Sequence, residues 1–207
     1  IKLAGKGESF FGDKTKSFMH FLNSEYFINF IQKLTGIEEP LFGDPYFQGA
    51  GQHEIKKGGL LKVHADFNKH PISNLDRRVN VLIYLNKDWK DEYQGHFELW
   101  DEKMENSVKK ILPLFNRMAI FSTTDFSYHG HPNPLLCPED RSRKSLALYY
   151  YSNGRPQSEI NMNLEKHGTL FKARANNTHD EQAFNGKHPI TIKSVIKDLT
   201  PPVFYNF

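Results

Sequence analysis

Apolar residues recur at helical spacing over 17–34, at Phe18, Phe21, Leu22, Phe27, Phe30, Ile31 and Leu34. The spacing predicts two helical pieces that break near Asn23-Ser24, with Ser24 placed to cap the second and Gly36 placed to end it. From Tyr46 to Asn153 the period changes. Short apolar or alternating runs at 46–54, 60–64, 78–86, 96–100, 109–114, 117–122, 127–132 and 143–151 are separated by turn residues. Eight short strands in a chain of this size predict a sandwich or barrel, and the number suits a jelly roll. Residues 154–207 are polar and loop-rich, apart from a short helical pattern at 189–199 that closes on Pro201-Pro202. The expectation is one domain over 1–207: helical support at 1–45, a jelly-roll core at 46–153 and a C-terminal extension at 154–207.

Composition narrows the class only a little. With 38% hydrophobic and 25% charged residues, the chain has the balance of a folded globular protein. No apolar run approaches the length of a membrane span, and no signal-peptide pattern opens the chain. The first residue is Ile1 rather than Met, as a truncated or processed start would give. Cys137 is the single cysteine, so an intramolecular disulfide is impossible and a cytoplasmic location is the default expectation. The net charge is +3, and the basic pairs Lys56-Lys57, Arg77-Arg78 and Lys109-Lys110 are scattered. They suggest solvated surface charge rather than a nucleic-acid stripe.

Candidate chemistry enters with three side chains: His64 and Asp66 in LKVHADFN, and His129 in FSYHGHPNP. Two imidazoles and one carboxylate form the donor set of non-haem iron(II) oxygenases, which leave the opposite face of the ion open. Residues i and i+2 of extended backbone share a face, so His64 and Asp66 can aim at one ion where a strand ends. By itself His-x-Asp is a weak signal, because ten His and eleven Asp produce such pairs readily by chance. His131 shares a strand face with His129 and is the competing ligand. A cupin-type site is a third option, but it would want a downstream Glu on that strand, and none is present.

An oxygenase of this kind also needs a cation with forked donors for a dicarboxylate cosubstrate. Arg143 opens a strand face that continues with Ser145, Ala147 and Tyr149. Arg141 and Lys144 are the alternatives. Tyr84 shares a face with Leu82 and Asn80 on another strand, where its phenol can add a hydrogen bond. His53 sits one strand before the metal motif and is a weaker candidate for contact with the cosubstrate.

Taken together, these positions resemble a known family. Leu60-x-x-x-His64-x-Asp66, the run Tyr84-Leu85-Asn86-Lys87-Asp88-Trp89, Gly95, His129 and Arg143-x-Ser145-Leu146 occur in that order. The set resembles the prolyl 4-hydroxylase class of iron(II)- and 2-oxoglutarate-dependent oxygenases, and YLNKDW resembles the hypoxia-inducible-factor prolyl hydroxylases. The resemblance implies a mainly β fold with flanking helices around a double-stranded β-helix (jelly-roll) core. It implies Fe(II) held by His64, Asp66 and His129, 2-oxoglutarate held by Arg143 and Tyr84, and stimulation by ascorbate. It also implies consumption of molecular oxygen, release of succinate and carbon dioxide, and hydroxylation of a prolyl residue in a peptide or protein. Hydroxylation of a small metabolite and a non-catalytic binding module are the other readings. Neither nucleic acid nor membrane is expected as a partner. The loops 67–76, 87–94 and 132–142 are expected at the barrel mouth, where they would set substrate specificity.

Overall fold

A computed structural model describes residues 2–162, 164 and 166–175. Contacts divide the chain into a unit over Ile1–Lys172 and a second over Ala173–Phe207. The helix predicted at 189–199 lies outside the described residues.

The first unit holds two five-stranded sheets. One has the order β1 (Lys2–Lys6), β2 (Gly51–Lys56), β9 (Ser142–Ser152), β4 (Asp76–Tyr84), β7 (Met118–Ser122). The other has the order β10 (Leu170–Phe171), β3 (Leu61–Ala65), β8 (His129–His131), β5 (Phe97–Trp100), β6 (Ser107–Ile111). All the pairings are antiparallel. Strands β2 to β9 alternate between the sheets except at the β5–β6 hairpin, so that the first pairs with the last and the second with the second-to-last. This is the topology of a double-stranded β-helix, and it matches the eight runs seen in the sequence. Two strands were not visible there. β1 is short and carries little alternation, and β10 is only two residues long.

The two helices are α1 (Asp13–Leu22) and α2 (Glu25–Thr35), broken at Asn23-Ser24 as the spacing predicts. Ser24 occupies the cap position but makes no side-chain cap bond, whereas Gly36 ends α2 in the left-handed conformation at φ 67°. Met19, Leu22, Phe27 and Ile31 are buried against Val79, Val81 and Ile83 of β4 and Leu146, Leu148 and Tyr150 of β9. The alternate residues of those strands, Asn80, Leu82, Arg143 and Ser145, line the barrel interior. β9 is thus buried on both faces, which explains why its sequence is nearly continuous in apolar residues.

The run at 46–54 begins later than its pattern suggests. Asp44 accepts backbone N–H bonds from Tyr46 and Gln48, and Phe47 and Gly49 take positive φ values. That turn holds the chain out of the sheet until Gly51.

The helical layer is tied to the sheet by one buried polar contact. The Tyr150 hydroxyl donates to the Leu22 carbonyl at 2.7 Å, at the end of α1. Tyr150→Phe would leave that carbonyl unsatisfied inside the core. The expected loss is about 1–2 kcal/mol of unfolding free energy, measured by urea denaturation; an unchanged midpoint would show that the bond is dispensable.

Candidate metal and cosubstrate site

β3 ends at Ala65, so Asp66 leaves the strand directly after His64, while His129 opens β8 alongside. Gly130 lets those strands approach. A Cβ there would lie 2.7 Å from the Leu61 carbonyl oxygen and 3.0 Å from that of Lys62. The imidazole Nε2 atoms of His64 and His129 stand 3.5 Å and 3.3 Å from the two Asp66 oxygens, and the rings are 4.5 Å apart. Candidate ligand atoms from all three residues fall within 4.8 Å of one another.

The orientation of both rings is fixed from behind. His64 Nδ1 lies 2.8 Å from the Lys62 carbonyl, and His129 Nδ1 lies 3.0 Å from that of Ser127. A carbonyl only accepts, so each Nδ1 carries the proton and each Nε2 presents a lone pair towards Asp66. Burial, reinforced by the charge of His129, pushes the His64 pKa down and favours its neutral form. Burial alone would raise the Asp66 carboxyl, but the Arg77 charge holds it well below the usual carboxylate range. Two lone pairs therefore face a carboxylate across a gap that calls for a cation. The donors, two nitrogens and one oxygen without sulfur, fit iron(II).

Asp66 is itself clamped. Arg77 Nη2 donates to Oδ2 at 3.0 Å and Asn80 Nδ2 donates to the same oxygen at 2.7 Å. Arg77 also donates from Nε to Asn80 Oδ1, and its guanidinium lies over the rings of Tyr149 and Phe67. The basic pair Arg77-Arg78 is therefore not surface charge, since both side chains are almost wholly buried. Arg78 pairs with Glu39 and Glu159. The available signal was position: two arginines near the start of a largely apolar strand are placed where burial calls for charged or hydrogen-bonding partners.

Farther into the barrel, Arg143 is buried with its Nε donating to the Gly95 carbonyl at 2.8 Å and its Nη2 3.5 Å from Tyr84 Oη. Burial pushes the Arg143 pKa down and the Tyr84 pKa up, and their mutual contact opposes both shifts. The alternatives are elsewhere. Arg141 donates to the Lys87 and Asp88 carbonyls, and exposed Lys144 reaches the Ser142 hydroxyl. His131 is outside the three-residue metal cluster, though it is buried and lines the same cavity. His53 also lines that cavity. Cys137 is buried beside Trp89 and Leu135, and burial pushes its thiol pKa up, which favours the protonated form.

Only one of the three expected mouth loops sits at the Asp66 end. Loops 87–94 and 132–142 close the opposite end, where Trp89, Leu135 and Cys137 pack with Ile55 and Leu136 N–H bonds the Tyr93 carbonyl. Strand direction explains this, and the sequence held the clue: β4 runs away from Asp66, so the loop that follows it must lie at the far end. The mouth is instead lined by Gly49, Phe67 and residues of the C-terminal segment. There β10 pairs Phe171 with His64, and His167 bonds Asp125 at 3.0 Å.

The family profile described as the 2OG-Fe(II) oxygenase superfamily matches residues 50–151, the stretch from β2 to β9 that carries all five candidate residues. The chain belongs to the 2OG-Fe(II) oxygenase superfamily. That description names 2-oxoglutarate and Fe(II) as the cosubstrate and metal of the superfamily. Among solved structures it is similar to a 2OG-Fe(II) oxygenase family oxidoreductase from Burkholderia pseudomallei, with 13% identity over 69% of this chain and 60% of that one, TM-score 0.47. It is similar to a prolyl-4-hydroxylase from Pseudomonas putida, with 14% identity over 74% and 71%, TM-score 0.46. It is also similar to a Trichoplax adhaerens prolyl hydroxylase in complex with a hypoxia inducible factor oxygen degradation domain peptide fragment, with 25% identity over 49% and 42%, TM-score 0.38. The chain thus spans less than two thirds of the first of these relatives. No curated protein matches the sequence. No helix among the described residues is long and apolar enough to cross a membrane.

Gly95 offers a test of how the oxygenase builds the Arg143 pocket. Its φ is +79°, and a Cβ would meet Leu135 Cδ2 at 2.4 Å and Arg143 Cδ at 3.1 Å. Gly95→Ala is expected to cost about 1–3 kcal/mol through strain at that φ. Urea denaturation measures that loss; an unchanged midpoint would show that Leu135 and Arg143 yield to the methyl group.

Proposed function

We propose that this oxygenase couples 2-oxoglutarate decarboxylation to hydroxylation of a prolyl residue in a peptide or protein. His64, Asp66 and His129 hold iron(II), and Arg143 with Tyr84 holds the distal carboxylate of 2-oxoglutarate. One observation carries the cosubstrate assignment. The buried arginines Arg77, Arg78 and Arg155 each have a carboxylate within 3.3 Å, whereas Arg143 has no acidic partner among the described residues. A buried cation with only a carbonyl and a phenol beside it calls for an anion from outside.

When bound, iron(II) and 2-oxoglutarate supply oxidative decarboxylation with molecular oxygen, yielding succinate, carbon dioxide and an oxidised C–H bond. The chain supplies the rest. The Lys62 and Ser127 carbonyls hold the imidazole rings in the ligating tautomer. Arg77 and Asn80 both donate to Oδ2 of Asp66, so that the carboxylate would be held in place for the ion. Phe97 and Phe121 pack against His129 and keep that side of the site dry. Arg143 orients the cosubstrate along the barrel axis.

The peptide reading rests on the run YLNKDW and on an open, apolar-floored cleft at the mouth. Gly49, Phe67 and Pro71 line that cleft, and Phe67 stacks edge-on to Tyr149 beside Arg77. A second reading has its own support. Arg77 Nη1 is buried, lines the cavity and has no hydrogen-bond partner among the described residues. It would suit the carboxylate of a free amino acid as well as the carbonyl of a peptide. Proline-containing peptides and free amino acids, incubated with iron-loaded enzyme and read by mass spectrometry, separate the two. A gain of one oxygen on peptides is expected; a gain on free amino acids alone would establish the metabolite reading.

His64→Ala, Asp66→Ala and His129→Ala are each expected to abolish succinate formation while the far-ultraviolet circular dichroism is kept. Retained decarboxylation in any one of them would remove that residue from the ligand set. Arg143→Ala is expected to raise the 2-oxoglutarate concentration needed for half-maximal rate by about 100-fold or more, in line with loss of a buried charge-assisted pair. Lys144→Ala should leave it unchanged, and the reverse ranking would move the anchor to Lys144.

A further inference from the structure

We infer that His131 is a specificity residue for the cosubstrate, donating a ring N–H to the same distal carboxylate that Arg143 holds. The inference rests on the assignment of this cavity to 2-oxoglutarate. His131 lies two residues beyond His129 on β8, on the same face and about 7 Å farther into the barrel. It is 2% exposed and lines one cavity with His64, Asp66 and His129 at one end and Ile55, Ser145 and Arg143 at the other. Its strand partner is Leu61, another lining residue of that cavity.

This position is an unusual one for an imidazole. The interior of a small barrel is normally filled by apolar side chains, so His131 brings a ring N–H to a wall where an apolar residue is the ordinary choice. The ring stands on the wall between the ion site and a buried cation that lacks an acidic partner among the described residues. A dicarboxylate that reaches from the ion to Arg143 must pass it. An imidazole N–H beside the distal carboxylate adds a charge-assisted hydrogen bond, and it does nothing for a 2-oxo acid that lacks that carboxylate. His131 therefore discriminates by chain end, favouring the five-carbon diacid over an otherwise similar monoacid.

Calorimetry on the manganese(II)-loaded protein without turnover tests this with two probes, 2-oxoglutarate and 2-oxopentanoate. His131→Val should weaken 2-oxoglutarate binding about 10-fold or more, the range for one hydrogen bond to a charged group, and leave 2-oxopentanoate unchanged. His131→Gln, which keeps an N–H donor, should recover part of the loss. Thermal unfolding midpoints of both variants report whether the fold is kept. Equal loss with both probes would overturn the inference in favour of a packing role, and so would wild-type 2-oxoglutarate affinity in His131→Val. Either outcome leaves the cavity assignment standing. Failure of the wild-type protein to bind 2-oxoglutarate at all would remove that assignment, and this inference with it.

Discussion

A carboxylate buried between two imidazoles and an arginine is the contact on which the site depends. Removing Asp66 from water is costly, and the cost is met by hydrogen bonds from Arg77 and Asn80. Those partners and the two rings are each fixed in turn. Arg77 lies against Phe67 and Tyr149, Asn80 sits on β4, and the rings are tethered through Nδ1 to backbone carbonyls. The consequence is a gap lined by lone pairs and negative charge at the point where β3 stops. A divalent cation is the natural occupant of such a gap.

The barrel explains how residues more than sixty positions apart come to share that gap. β3 and β8 are neighbours because a double-stranded β-helix pairs its second strand with its second-to-last. β9 lies between β2 and β4 because it pairs the first with the last. The same rule places Arg143 beside Tyr84 and beneath the ion site. The helices contribute by covering the outer face of the sheet that carries Asn80, Tyr84 and Arg143, so those side chains have only the interior to occupy.

Much of this was legible in the sequence, for identifiable reasons. Alternation marked eight strands because each has one wet or one differently packed face. The break at Asn23-Ser24 and the stop at Gly36 marked the helices, because local backbone chemistry sets both. His64, Asp66 and His129 stood out through residue type and the two-residue spacing. Other features were hidden because they depend on contacts distant in the chain. Arg77 had the sequence appearance of surface charge, and only the fold reveals its buried acidic partner. β10 was too short for any period to show, yet it lies against His64. The two loops expected at the mouth close the other end, since strand polarity, not loop composition, decides which end a connection occupies.

X-ray absorption on the anaerobic iron(II)-loaded protein tests the central claim most directly, because it reports the ion's neighbours without depending on substrate. The account requires a shell of nitrogen and oxygen only, with outer-shell scattering from two imidazoles. A single imidazole, none, or a sulfur neighbour would contradict it.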